Sequence, residues 1–177
     1  MHRLFVALRP PPAMRERLLG MMGGIANARW QSDEQLHLTL RFIGEVDRRQ
    51  AEDIATALDR VSHPCPIVTG QGVGTFGKGG HAHTLWAGMA ADPALQRLHR
   101  RIDRALAGAA VPSEARAFRP HITIARLGRN AGPVSEFVER QAGFATPPFC
   151  LDSFHLFESL LTSAGATYTT IARYPLR

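Results

Sequence analysis

Short apolar runs separated by breaks rich in proline and glycine recur along the chain, and their periods predict an alternation of strands and helices. His2–Leu8, rich in Leu, Phe and Val, has the pattern of a strand, and Pro10, Pro11 and Pro12 then open a helix over about 13–20. A second strand is predicted over 36–43. Asp47 followed by Gln50 resembles a capping box, and Ala51, Ile54, Ala55, Leu58 and Val61 recur behind it at helical spacing until Pro64. Residues 67–73 and 84–89 have the pattern of strands on either side of a glycine-rich turn. Asp92 as N-cap, Pro93 at the first helical position and Gly108 past the end frame a helix that carries Leu95, Leu98, Ile102 and Leu106 on one face. A strand over 121–126, a short helix near 134–141 and strands over 149–157 and 166–172 complete the pattern. Each half of the chain thus supplies strands and helices in similar order.

With 177 residues, 45% hydrophobic and 20% charged, the composition is that of a globular chain and excludes disordered or fibrous classes. One domain spanning 1–177 is expected, burying roughly 70% of its unfolded-state surface. The apolar run at 4–8 is too short for a signal-peptide core and is stopped by the prolines. Cys65 and Cys150 stand apart, outside any C-x-x-C pattern, which points away from a zinc site or disulfide framework and toward a reducing, cytoplasmic setting. The formal charge is +6, and all basic residues except Lys78 are arginines. Arginine's planar fork suits phosphate and base stacking, so this surface favours an anionic partner.

Two phosphate-loop readings fail on context. Gly72, Gly74 and Gly77 have the G-x-G-x-x-G spacing, but the next residues are strand-patterned, whereas such a loop needs a helix. The position after Lys78 is Gly79, where a P-loop needs a magnesium-binding hydroxyl. The segment is read as a flexible hairpin. His81 and His83 form an H-x-H with no third ligand spaced nearby, so no metal is expected.

The informative pattern is Leu36-His37-Leu38-Thr39-Leu40 in the first half and Pro120-His121-Ile122-Thr123-Ile124 in the second. Of eight histidines, these are the two that begin H-x-T. On a strand, His37 and Thr39 share one face while Leu38 and Leu40 enter the core, and the second motif repeats this. Two imidazoles across a cleft suit chemistry that needs an acid and a base together, because histidine's ordinary pKa of about 6.5 allows one ring to be charged and the other neutral. Phosphoryl transfer at a phosphodiester is such a reaction. The threonine hydroxyls would donate to the non-bridging oxygens, and the scheme requires no metal or other cofactor.

These paired tetrads, with RLFVALRPP, LHLTLRFIGEV, HTLWAG, FRPHITIAR and FESLLTSAGATYTTIARYPL around them, resemble the 2H phosphoesterases. Within these the chain is similar to the bacterial and archaeal RNA 2′,3′-cyclic phosphodiesterases, also called 2′-5′ RNA ligases. The resemblance implies an α+β fold of two pseudo-symmetric lobes, each an antiparallel sheet with outer helices, around a central V-shaped cleft. It implies His37 as proton donor to the leaving 3′ oxygen, His121 as proton acceptor from water, and Thr39 and Thr123 as phosphate ligands. The implied reaction opens an RNA 2′,3′-cyclic phosphate terminus to a 2′-phosphate, and a cytoplasmic monomer is expected.

Phe42 and Arg126 each lie five residues after a motif histidine, matching positions from which a ring and a guanidinium could sandwich a terminal base. Strict alternation places Phe42 on the core face unless the strand bulges, so both readings stand. Arg41 shares parity with His37 and is read as reaching phosphate or solvent. Trp30 and Trp86 are read as core, Tyr168 as packing the last strand, and His155 as a satisfied core histidine. Arg119 orients the strand entry, and Arg97, Arg100, Arg101 and Arg104 form a solvated helix face. Alternatives from the same histidines are a phosphodiesterase or ligase for 2′-5′ linkages or small cyclic nucleotides. An RNA-end-binding module without turnover is a third.

Overall fold

Alternation along β1 (His2–Leu8) sends Leu4, Val6 and Leu8 to one face of a sheet and Phe5 and Ala7 to the other, and both sets are buried. The sheet therefore carries apolar packing on two sides. In the computed structural model, which describes residues 1–163 and 165–177, the order continues with α1 (Pro12–Met21), β2 (Ala28–Trp30), a 3-10 turn (Asp33–Gln35) and β3 (Leu38–Val46). Next come α2 (Arg48–Asp59), β4 (Ile67–Val68), β5 (Gly70–Lys78), β6 (His81–Met89) and α3 (Pro93–Gly108). The chain closes with β7 (His121–Leu127), α4 (Ser135–Arg140), β8 (Phe149–Cys150), β9 (Ser153–Thr162) and β10 (Gly165–Pro175).

The strands pair in the order β10-β9-β1-β3-β7-β6-β5, with β2 added to β7, and β4 with β8 forms a separate ribbon. At the middle of this path, β3 and β7 are joined by one residue pair, Leu38 with Ile122, both fully buried. Two half-sheets thus meet at a single antiparallel contact, which is the two-lobed α+β arrangement expected. On the outer face, α1 contributes Met14 and Leu18, α2 Ile54 and Leu58, and α3 Leu95, Leu98, Ile102 and Leu106 to one continuous core. Each such side chain stabilises the fold by roughly 1.5–3 kcal/mol on burial. The inner face carries a smaller cluster, Phe5, Ala7 and Phe157 with Tyr168 against them.

Helix starts follow the expected caps. Asp47 Oδ1 accepts from Gln50 N at 2.8 Å, and Asp92 Oδ1 accepts from Leu95 N at 2.7 Å ahead of Pro93. At the other end α3 runs through Gly108, and the left-handed residue is Ala110 (φ 59°). Val111 N bonds back to Leu106 O at 3.0 Å and its side chain is buried, so the need to bury Val111 sets this turn in place of a glycine. The strand expected over 149–157 is broken: Phe149–Cys150 pairs with Ile67–Val68, and β9 restarts at Ser153. The glycine segment is a hairpin, but its glycines lie within β5, and the turn is only Gly79-Gly80, both at positive φ. Gly74 faces Trp86 so closely that a Cβ there would stand 2.5 Å from the indole carbons, so this glycine makes room for a ring. No helix among the described residues is long and apolar enough to cross a membrane.

Candidate active site

The single Leu38–Ile122 contact fixes the geometry of both motifs. Because the pair is antiparallel and points to the core, its neighbours His37 and Thr123, and Thr39 and His121, stand opposite one another on the inner face. Each ring is held the same way. His37 Nδ1 lies 2.7 Å from Gln35 O, and His121 Nδ1 lies 2.7 Å from Arg119 O. A carbonyl only accepts, so each Nδ1 carries the hydrogen and donates, and each neutral ring presents Nε2 as its free basic nitrogen. The backbone carbonyl two residues before each histidine thus orients it, a role for Arg119 other than the strand-entry one expected of its side chain.

Aromatic side chains from neighbouring strands support both rings. Phe5 lies 4.8 Å from His37, and Tyr168 meets it edge-on at 5.1 Å. Phe76 meets His121 edge-on at 4.9 Å, with Trp86 at 6.1 Å. Trp86 therefore backs a motif histidine rather than filling the main core, and Tyr168 does more than pack the last strand. Trp30 is half-buried, with its ring 5.5 Å from Phe137 and an edge in the cleft. His155 is half-buried, and its Nδ1 has no hydrogen-bond partner among the described residues.

Burial lowers the pKa of both histidines. For His37 the loss of hydration brings it to about 4, partly offset by the Gln35 carbonyl and reinforced by the positive charges of Arg126, His121 and Arg9. For His121 burial also acts downward, partly offset by the Arg119 carbonyl and reinforced by Arg126. Both rings are thus biased toward the neutral form until a negative charge enters between them.

Matched bulges follow each motif. Along β1, Ala7 pairs with Thr39 and Val6 with Arg41, so Leu40 is the extra residue. Along β6, Trp86 pairs with Thr123 and Leu85 with Ala125, so Ile124 is the extra residue. Each bulge reverses the parity of the residues after it. Phe42 is consequently 46% exposed on the inner face, and Arg126 is exposed at the equivalent place on β7. Both line a cavity of about 610 Å³ with His37, Thr39, Phe5 and Tyr168. Arg126 Nη1 donates to Thr84 Oγ1 at 3.0 Å, which fixes its plane.

The same reversal corrects the reading of Arg41. It shares no face with His37: it is 6% exposed on the core side, with Nε 2.7 Å from Asp103 Oδ1 and Nη1 3.4 Å from Glu114 Oε2. Its Nη2 donates to the Pro112 carbonyl. Arg41 ties β3 to α3 and to the segment that leads into β7, and it does not reach the cleft. His81 and His83 meet edge-on at 5.0 Å in their hairpin, and no group of three metal-ligating side chains occurs among the described residues.

A lobed antiparallel fold with two opposed H-x-T strands defines a class, and comparison with known proteins identifies it. The chain belongs to the 2′-5′ RNA ligase superfamily, whose family model matches residues 25–161. The RNA 2′,3′-cyclic phosphodiesterase of Archaeoglobus fulgidus is 27% identical over 94% of this chain and 96% of its own. That of Thermotoga maritima is 30% identical over 81% and 77%. Among solved structures, Escherichia coli LigT complexed with 3′-AMP superposes with a TM-score of 0.77 at 24% identity, covering 99% of this chain and 98% of that one. A Thermus thermophilus protein gives 0.76 at 25% identity, covering 99% and 98%.

Proposed function

We propose that the protein hydrolyses 2′,3′-cyclic phosphate at RNA 3′ ends to leave a 2′-phosphate. The observation that carries this reading is the matched pair of cleft histidines, each fixed through Nδ1 to a carbonyl and each presenting Nε2. The relatives named RNA 2′,3′-cyclic phosphodiesterase support the substrate class.

In this scheme His121 Nε2 takes a proton from water as the water oxygen attacks phosphorus. His37 Nε2 gives a proton to the 3′ oxygen as the P–O3′ bond breaks. Thr39 and Thr123 donate to the non-bridging oxygens, where charge is held in the transition state. His37 is neutral in the free protein, so the anionic phosphate supplies the field that recharges it, and the donor becomes competent as substrate binds. Acid and base both come from side chains, so the scheme uses no metal. Phe42 and Arg126 hold the terminal base between a ring and a guanidinium plane.

The test is an RNA oligonucleotide with a 2′,3′-cyclic phosphate end, incubated with purified protein in EDTA, with the product terminus identified by chromatography against authentic 2′- and 3′-phosphate standards. A 2′-phosphomonoester is expected. A 3′-phosphate product, or hydrolysis only after a divalent metal is restored, overturns the scheme.

A further inference from the structure

The cleft contains more positive charge than one cyclic phosphate accounts for. Three arginines, Arg3, Arg29 and Arg126, line the cavity beside His37, its walls include no Asp or Glu, and none of the three pairs with a carboxylate among the described residues. Arg29 and Arg126 are directly opposite one another on β2 and β7. Like charges facing across an antiparallel pair destabilise it, and here no acidic neighbour offsets the repulsion. Arg3 contributes a third charge from β1, with its guanidinium carbon 5.3 Å from the centre of the Phe42 ring.

The substrate's own charges distribute naturally over this arrangement. On the cyclic-phosphate reading, the histidines and threonines take the cyclic phosphate, and Phe42 and Arg126 take the terminal base. The next anion along an RNA end is the phosphodiester joining the terminal nucleotide to its neighbour. A free nucleoside 2′,3′-cyclic phosphate lacks it.

We propose that Arg29, assisted by Arg3, binds this last internal phosphodiester, so that the enzyme selects oligonucleotide ends over cyclic mononucleotides. The proposal rests on the cyclic-phosphate reading of the site, and it names the substrate feature that the unneutralised arginines recognise. Arg29 is exposed and has no packing role, so its replacement is expected to leave the fold intact.

The experiment compares kcat/KM for three substrates: a nucleoside 2′,3′-cyclic phosphate, a dinucleotide ending in that group, and the same dinucleotide with a neutral methylphosphonate linkage. The charged dinucleotide is expected to exceed the mononucleotide by about tenfold or more, and the methylphosphonate to lose most of that advantage. Arg29→Gln, and separately Arg3→Gln, should reduce the dinucleotide-to-mononucleotide ratio, with the larger loss for Arg29. Equal kcat/KM for all three substrates, or equal losses on the mononucleotide and the phosphodiester-linked dinucleotide in Arg29→Gln, overturns the proposal. If wild-type protein turns over none of them, the cyclic-phosphate reading fails. The arginine site is then judged by the affinity of a dinucleotide 2′-phosphate relative to a nucleoside 2′-phosphate, and equal affinities overturn it.

Discussion

Arg41 separates a structural cation from a phosphate ligand. Arg41→Ala removes a guanidinium that is 6% exposed and leaves Asp103 and Glu114 without their cation. Breaking a fully buried pair from one side costs about 3–5 kcal/mol. Asp103 and Glu114 retain 25% and 33% side-chain exposure and can rehydrate, which reduces the expected cost to about 2–3 kcal/mol. At about 2–4 °C per kcal/mol for a chain of this size, Tm should fall by roughly 4–12 °C in a calorimetric or circular-dichroism melt. Replacing Arg41 and Asp103 together, with Arg41→Met and Asp103→Leu, should recover part of that loss, because the more buried of the two carboxylates is removed with the cation and only Glu114 is left to rehydrate. Measured well below the melt, kcat/KM of Arg41→Ala should stay within about threefold of wild type, since the histidines keep their own carbonyl anchors. A hundredfold loss of kcat/KM with Tm unchanged would place Arg41 on the substrate and refute the parity argument.

Three further outcomes are expected of the site. The pH profile of kcat/KM should be bell-shaped with its maximum on the acid side of 6.5, because burial lowers both imidazoles in the free protein; the kcat profile should lie at higher pH, because bound phosphate raises both, and coincident profiles at or above neutrality contradict this. Lowered histidine pKa values also mean that the unfolded chain binds more protons below about 6.5, so stability should decline as pH falls from there toward about 4, less steeply in His37→Gln. Gly74→Ala should push Trp86 from its place beside His121, costing about 1–3 kcal/mol in denaturant unfolding and lowering kcat, whereas an unchanged enzyme would show that the indole has room to move.

Long periodic elements were legible because a local pattern decides them. The leucines of α3 and the apolar residues at the start of β7 recur at spacings that put them on one buried face, and β1 is a continuous apolar run buried on both, so the local pattern alone exposes them. β2 is three residues long and exists through its pairing with β7, so nothing in Ala28–Trp30 announces it, and Arg29 stayed hidden with it. Gly74 of β5 reads as a turn residue because the Trp86 ring that fills its space lies on another strand. The two histidines and threonines could be singled out from their repeated spacing. Phe42 and Arg41 could not be placed, since one bulged residue exchanges their faces and a bulge is a property of the partner strand. Tyr168 and Phe5 support His37 through contacts between distant segments, which no local signal carries.

The central claim is that His37 and His121 act as one acid–base unit. It is tested most directly by single-turnover hydrolysis of a 2′,3′-cyclic phosphate RNA end in wild type, His37→Ala, His121→Ala and the double variant, each shown to be folded by its melt. Each single variant should lose most of the rate, and the double should be little slower than either, because removing one partner already disables the unit. Wild-type rates in either single variant, or losses that simply multiply in the double, would contradict it.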